Sequence, residues 1–269
     1  MSSGLEVLKE IREQTGEAST QGLDDNTVLD FLEMDPKLDV AIREAAANFS
    51  DFKASFGEEV MQMDEVSLIS HLQSEYVNFY SSPTVNPYVA ISAMGPWIVT
   101  SHGAVIHDNG GYGMMGMGHG PIDVINSMQK NWVMANVMTP SFSQKGLKDA
   151  LQNEVGHTRG ECSFSKFVCL NSGSESVAIS MRIADLNAEL MTGPGGRHEG
   201  LPTKLLALEQ AFHGRTQRPA MISDSCRGKY EENLATFRDK EGVMFVPPND
   251  IAALRDAFSK AVDLSLIHI

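Results

Sequence analysis

The run Asn171-Ser172-Gly173-Ser174-Glu175 sets two hydroxyls, a glycine and a carboxylate ahead of a segment with helical periodicity. At the entrance of a helix the first amides have no partner within the helix, and the aligned peptide dipoles place roughly half a positive charge there. Such a turn favours an anion, phosphate above all. Gly173 lets the backbone approach a phosphate closely, and the hydroxyls of Ser172 and Ser174 can donate further hydrogen bonds. The same residues also read as a plain capping box, with Ser172 as cap and Glu175 three positions on, which needs no ligand. A second run, Ala211-Phe212-His213-Gly214-Arg215-Thr216, comes after an apolar stretch that ends near Gln210. A loop at the carboxyl end of a parallel strand is where α/β proteins place ligand groups. Phe212 could stack on a planar ring there, and Arg215 could pair with a carboxylate through two parallel hydrogen bonds. In isolation these read instead as a core phenylalanine and a surface arginine.

The elements that must position these residues can be read from apolar spacing. Phe167–Leu170 predicts a short strand, stopped by Asn171, Ser172 and Gly173. Val177, Met181, Ala184, Ala188 and Met191 then fall on one face of a helix. After the Gly and Pro loop 193–202, Leu205–Leu208 predicts a second strand, and Met221 with Ile222 a further short one. Gly242–Val246 predicts another, ended by Pro247 and Pro248, with Asn249 or Asp250 capping a helix that carries Ile251, Leu254, Phe258 and Val262. This alternation predicts an α/β sheet with crossover helices. Upstream, helical spacing runs through 4–14, 28–34 and 38–49. Trp97–Thr100 and Ala104–His107 predict a hairpin around Ser101, His102 and Gly103. The expected organisation is an acidic, mostly helical segment over 1–85, a glycine-rich hairpin and connecting helix over 86–145, and an incomplete α/β domain over 146–269.

Charge narrows the partners. Of a net charge of −14, residues 1–75 carry −12. Nucleic acid calls for clustered Lys and Arg to displace counterions, and this chain has the opposite bias. The acidic surface reads as a solvated face, with a noncatalytic partner-binding role as the other option. The three cysteines, Cys162, Cys169 and Cys226, lack a Cys-x-x-Cys spacing, so free thiols are expected. The first 16 residues contain no apolar h-region. Pro87–Thr100, the most apolar stretch, is too short to cross a membrane and is broken by Gly95 and Pro96. A cytoplasmic protein without membrane association is expected. His102, His107, His119 and His157 share no metal-ligand spacing on one helix, so no metal site is expected, and Met114, Met115 and Met117 read as packing residues.

Gly111-Tyr112-Gly113-Met114-Met115-Gly116 matches a dinucleotide fingerprint and offers a rival, a nicotinamide-dependent oxidoreductase. That fingerprint calls for a helix opening at the last glycine and an acid about 20 positions on. Gly118, Gly120 and Pro121 interrupt the helix, and the stretch 132–136 has no acid. A glycine-rich turn leading to a helix after Pro121 is the better account.

Taken together and in order, the two runs resemble the class III aminotransferases. The family's Asn-Ser-Gly-Ser-Glu motif is matched at Asn171 to Glu175 and its Phe-His-Gly-Arg-Thr motif at Phe212 to Thr216. Asp108–Val124 and Pro247–Leu254 look similar as well, so the resemblance covers roughly 87–262. Two positions depart: Ser176 stands where the family has alanine, and Pro121 comes one residue early after Gly118 and His119. The resemblance implies a partial fold-type I (aspartate aminotransferase-like) large domain that binds pyridoxal 5′-phosphate (PLP). Ser172, Gly173 and Ser174 would hold the phosphate, Phe212 would cover the ring, His213 would support that loop and Arg215 would receive a substrate carboxylate. It further implies transfer of an amino group between an amine or (ω-)amino acid and an oxo acid, by an enzyme that is a homodimer when complete. An aminomutase or a decarboxylase of the same fold is the nearest alternative. In the family a Schiff-base lysine and an aspartate at the pyridine nitrogen come from later strands, and neither is expected within this chain. Lys204 and Lys229 flank the wrong elements to serve as that lysine. The ending Ser265–Ile269 breaks the helical pattern, and a truncation or a foreign tail is expected there. The parent is therefore expected to be active and this chain alone silent.

Overall fold

The computed structural model describes residues 3–77, 84–109, 116–131, 138–237 and 243–263, and the chain divides into two compact units, Met1–Asn136 and Val137–Ile269. In the first unit, helices α1 (Gly4–Glu13), α2 (Asp25–Met34), α3 (Pro36–Phe56), α4 (Glu58–Met61) and α5 (Glu65–Gln73) confirm the helical reading of the amino-terminal stretch. Each long helix starts where a polar side chain satisfies free amides: Ser3 with Glu6 in a capping box for α1, Asp24 for α2, and Asp35 ahead of Pro36 for α3. The expected hairpin is present as β2 (Trp97–Thr100) and β3 (Val105–His107), and β1 (Ala90–Met94) adds an antiparallel third strand that periodicity does not predict. Helices and strands share one core, from Val7, Leu8 and Ile11 through Leu38, Ile42 and Phe49 to Trp97, Val99 and Val105. This core draws on residues from both sides of position 85. Trp97 is its largest buried side chain, and its indole N–H donates to Asp35 Oδ2 at 2.9 Å. That bond, more than the α3 amide of Lys37, holds the Asp35 carboxyl below its usual range.

Beyond β3, His119 bridges to Gly95 through two backbone hydrogen bonds, and α6 (Ile122–Met128) opens at Pro121 as expected. Residues 111–115 of the glycine fingerprint lie outside the described residues. After Gly116 the chain enters a turn and then the Gly95 bridge, and no helix opens at that glycine.

The second unit holds α7 (Phe142–Gly156), α8 (Gly173–Thr192), β4 (Leu205–Leu208), α9 (Gln217–Met221), α10 (Arg227–Asn233), β5 (Val243–Val246) and α11 (Ile251–Asp263). Strands β4 and β5 pair in parallel, Leu205 opposite Val243 and Leu208 opposite Val246, so the connection between them is a crossover, as the alternation predicts. Asp250 is the cap of α11, its Oδ1 accepting from the Ala253 amide at 2.8 Å, while Asn249 adopts φ 60°.

Two strand expectations are corrected. Phe167–Leu170 forms no strand: a strand must exchange hydrogen bonds with a neighbour, and this segment joins neither open edge of the β4–β5 pair. Phe167 and Val168 instead line a cavity of about 410 Å³ with Leu147 and Leu151 of α7. Met221 and Ile222 end α9, because Ile222 and Ser223 donate back to Pro219 and Ala220. The second unit buries few large apolar side chains among its described residues: Met181 and Val246 accompany only alanines and Pro219.

Candidate functional site

Helix α8 begins at Gly173 with Ser172 as its cap, the Ser172 Oγ accepting the Glu175 amide at 3.3 Å. Glu175 does not close the expected capping box. Its Oε2 reaches one residue further back, to the amide of Asn171 at 2.8 Å. Asn171 and Glu175 therefore tie the turn together, and the Ser176 amide goes to the Ser172 carbonyl at 3.1 Å. The amides of Gly173 and Ser174 make no hydrogen bond to the described residues. Both point from the positive end of a 20-residue helix. A Cβ built on Gly173 meets no atom within 4 Å, so the space in front of this turn is open.

The second run leaves the carboxyl end of β4, as expected. Gln210 turns the chain with φ 61°, an uncommon conformation for a side-chain-bearing residue, and its amide is satisfied by Asp224 Oδ2 at 2.8 Å. Phe212 is 55% exposed, and the Arg215 guanidinium carbon lies 5.7 Å from its centroid. His213 is half-buried and its amide donates to Ser223 Oγ at 2.9 Å.

The structure brings the two runs together. Gly214, at φ 121°, lies against Ser174 so tightly that a Cβ on it would stand 2.9 Å from the Ser174 Cα and Cβ and closer still to its Oγ. No L side chain fits that position, which accounts for the glycine. One residue on, the Arg215 amide donates to Ser174 Oγ at 3.2 Å across 41 positions of sequence. With its oxygen accepting from Arg215, the Ser174 hydroxyl keeps its proton for another acceptor. All six residues singled out from the sequence, Ser172, Gly173, Ser174, Phe212, His213 and Arg215, thus sit in two turns that meet at Ser174 and Gly214. An ion pair between Arg218 and Asp185, 3.0 Å, links α9 to α8 beside them.

Sequence reasoning passed over Ser223, Asp224 and Ser225, which contact this loop at several points. The available signal was weak: a Ser-Asp-Ser run with no hydrophobic period around it.

The donor set suits an anion beside a ring. It comprises two unpaired helix amides, two hydroxyls that can donate, one exposed aromatic face and one guanidinium. The neighbouring Glu175 carboxylate is spent on the Asn171 amide.

No family model matches the sequence. Among solved structures, the chain is similar to the ornithine aminotransferase of Toxoplasma gondii, with a TM-score of 0.59 at 15% identity, over 80% of this chain and 46% of that one. That enzyme holds PLP at partial occupancy in its active site. The acetylornithine aminotransferase of Elizabethkingia anophelis matches with a TM-score of 0.51 at 15% identity, over 76% of this chain and 43% of that one. An amine transaminase from an uncultivated Pseudomonas species, solved with PLP bound, matches with a TM-score of 0.51 at 16% identity, over 72% and 48%. The chain spans about half the length of the solved structures it matches, and its fold is that of part of a PLP-dependent aminotransferase.

Proposed function

We propose that this chain supplies the phosphate-binding and ring-stacking part of a PLP-dependent enzyme of the class III aminotransferase kind. That enzyme would move an amino group from an amine or an amino acid, ω-amino acids included, to an oxo acid. The observation that carries this reading is the hydrogen bond from the Arg215 amide to Ser174 Oγ, because it joins the two motifs that the resemblance assigns to one cofactor. The amides of Gly173 and Ser174 and the hydroxyls of Ser172 and Ser174 would hold the phosphate, and Phe212 would cover one face of the ring. His213 would keep the Phe212 loop in place. Arg215 would offer its fork of donors to a substrate carboxylate from beside the Phe212 ring, its guanidinium carbon 5.7 Å from the ring centroid. When bound, PLP supplies the electron sink for the transfer.

Covalent capture and proton transfer call for an amine over the ring, and neither candidate lysine suits that task. Lys204 stands at the amino end of β4, about 13 Å of strand from the Phe212 loop. Lys229 lies on α10, outside both motif turns. The 269-residue chain is therefore expected to bind without catalysing, and the complete enzyme to work as a cytoplasmic homodimer with a ping-pong mechanism.

Calorimetric titration of the chain with pyridoxamine 5′-phosphate tests the site, because that ligand needs no lysine. Saturable binding that disappears with pyridoxamine, its phosphate-free form, supports the reading; equal binding of the two overturns it. Treatment with PLP and borohydride followed by peptide mapping should find no uniquely labelled lysine, and a single stoichiometric adduct would contradict the assignment of silence.

A further inference from the structure

The loop that carries Phe212 is held by three consecutive residues that lie outside both motifs. Ser223, only 1% exposed, accepts the His213 amide on its Oγ at 2.9 Å. The same oxygen lies 2.8 Å from the Gly214 carbonyl and 2.9 Å from the Pro219 carbonyl, with one proton to share between them. Asp224 Oδ2 accepts the Gln210 amide at 2.8 Å, where the chain leaves β4 in a left-handed turn. The Ser225 amide donates to the Ala211 carbonyl at 3.2 Å. Four backbone groups between Gln210 and Gly214 are thus satisfied by one short segment, most of which forms the single 3₁₀ turn Asp224–Cys226.

These bonds bear on the site because of what Gly214 touches. With the His213 amide and the Gly214 carbonyl both fixed by Ser223, the peptide that presses on Ser174 has little freedom, and the next amide, that of Arg215, is aimed at Ser174 Oγ. Releasing Ser223 leaves a buried amide and a buried carbonyl unpaired, which the loop can relieve only by moving. Any such movement withdraws the Arg215 amide from Ser174 and frees the hydroxyl to turn away from the ligand space.

Resting on the PLP reading above, we propose that Ser223 and Asp224 are positioning residues that set the affinity of this site for a phosphate-bearing ligand by holding Gly214 and the Arg215 amide against Ser174. They touch neither phosphate nor ring themselves.

The test compares the full chain with Ser223→Ala, Ser223→Thr, Asp224→Ala and Asp224→Asn. It reads pyridoxamine 5′-phosphate and pyridoxamine binding by calorimetry, and amide hydrogen exchange at Gln210, His213 and Arg215. Ser223→Ala is expected to weaken pyridoxamine 5′-phosphate about tenfold, to shrink its advantage over pyridoxamine, and to speed exchange at His213 and Arg215. Ser223→Thr, which keeps the hydroxyl, restores most of both. Asp224→Ala speeds exchange at Gln210 and weakens the phosphate ligand, whereas Asp224→Asn, which keeps an acceptor, does neither. If Ser223→Ala fails to fold, the more exposed Asp224 pair decides alone. Wild-type binding that persists unchanged in both alanine variants overturns the brace and leaves the site reading intact. A wild-type chain that binds no pyridoxamine 5′-phosphate overturns the site reading, and the ligand role of the brace with it.

Discussion

Gly173→Ala separates a glycine kept for a ligand from one kept for the fold. In the free chain a Cβ at this position meets nothing within 4 Å, and the residue is absent from the left-handed region, so a methyl group costs no clash and no backbone strain. Replacing glycine by alanine restricts the unfolded chain and favours helix, together worth up to about 1 kcal/mol at a compatible helical position. Thermal stability should therefore hold or rise, by at most roughly 4 °C for a unit of this size. Binding should move the other way. A phosphate oxygen accepting the Gly173 amide sits about 2.9 Å from the nitrogen, and the new methyl occupies the flank of that approach. Losing one hydrogen bond to a charged acceptor costs about 1.5–3 kcal/mol, which corresponds to roughly a 10- to 150-fold weaker Kd for pyridoxamine 5′-phosphate. Melting curves and calorimetric titration of the same samples measure both. An alanine variant that binds as tightly as the parent would refute the claim that this amide faces the phosphate. A variant that loses stability would show that the glycine serves the fold.

Gly214→Ala should behave in the opposite way, since its Cβ would stand 2.9 Å from Ser174 backbone at φ 121°; strain and overpacking together predict about 2–6 kcal/mol of destabilisation, read as an earlier urea midpoint. Arg215→Lys keeps the charge but loses the planar fork. In an enzyme carrying the whole site it should raise KM for carboxylate-bearing donors more than for simple amines, and equal losses would mark a structural arginine. Trp97→Phe removes the indole donor that holds the Asp35 carboxyl below its ordinary value of 3.8. A depressed carboxyl stabilises the fold above its unfolded value and loses that contribution as pH falls through its folded one. The stability gap between parent and Trp97→Phe should thus be constant from pH 7 down to about pH 5 and narrow below about pH 4, leaving the part due to lost indole packing. A gap that does not change with pH would show that the indole bond does not control Asp35.

Much of the local structure is legible in the sequence. The starts of α1 and α3, the hairpin around Ser101, His102 and Gly103, the strands β4 and β5, and the cap of α11 at Asp250 all follow from residues that act within a few positions of one another. So does the capped start of α8 at Gly173, because caps and helix dipoles are local properties. Phe167–Leu170 shows the limit of that logic: its composition suits a strand, but a strand also needs a neighbour, and composition does not supply one.

Three features were decided only by the tertiary structure, and they share one physical reason: each depends on atoms that sequence distance does not bring together. The first is the β1 strand, whose Ile91 carbonyl is held by the Asn48 side chain from α3 and whose pairing with β2 shifts register between Ala90 and Ser92. The second is the Ser223–Ser225 brace, in which a buried hydroxyl and a carboxylate are spent on backbone groups ten to fourteen positions earlier. The third is the meeting of Ser174 with Gly214 and Arg215. The two motifs by themselves specify a capped helix start and an aromatic loop. That they meet depends on the segment after α8 returning the chain through β4 to that turn, where only a residue without a side chain can close the contact.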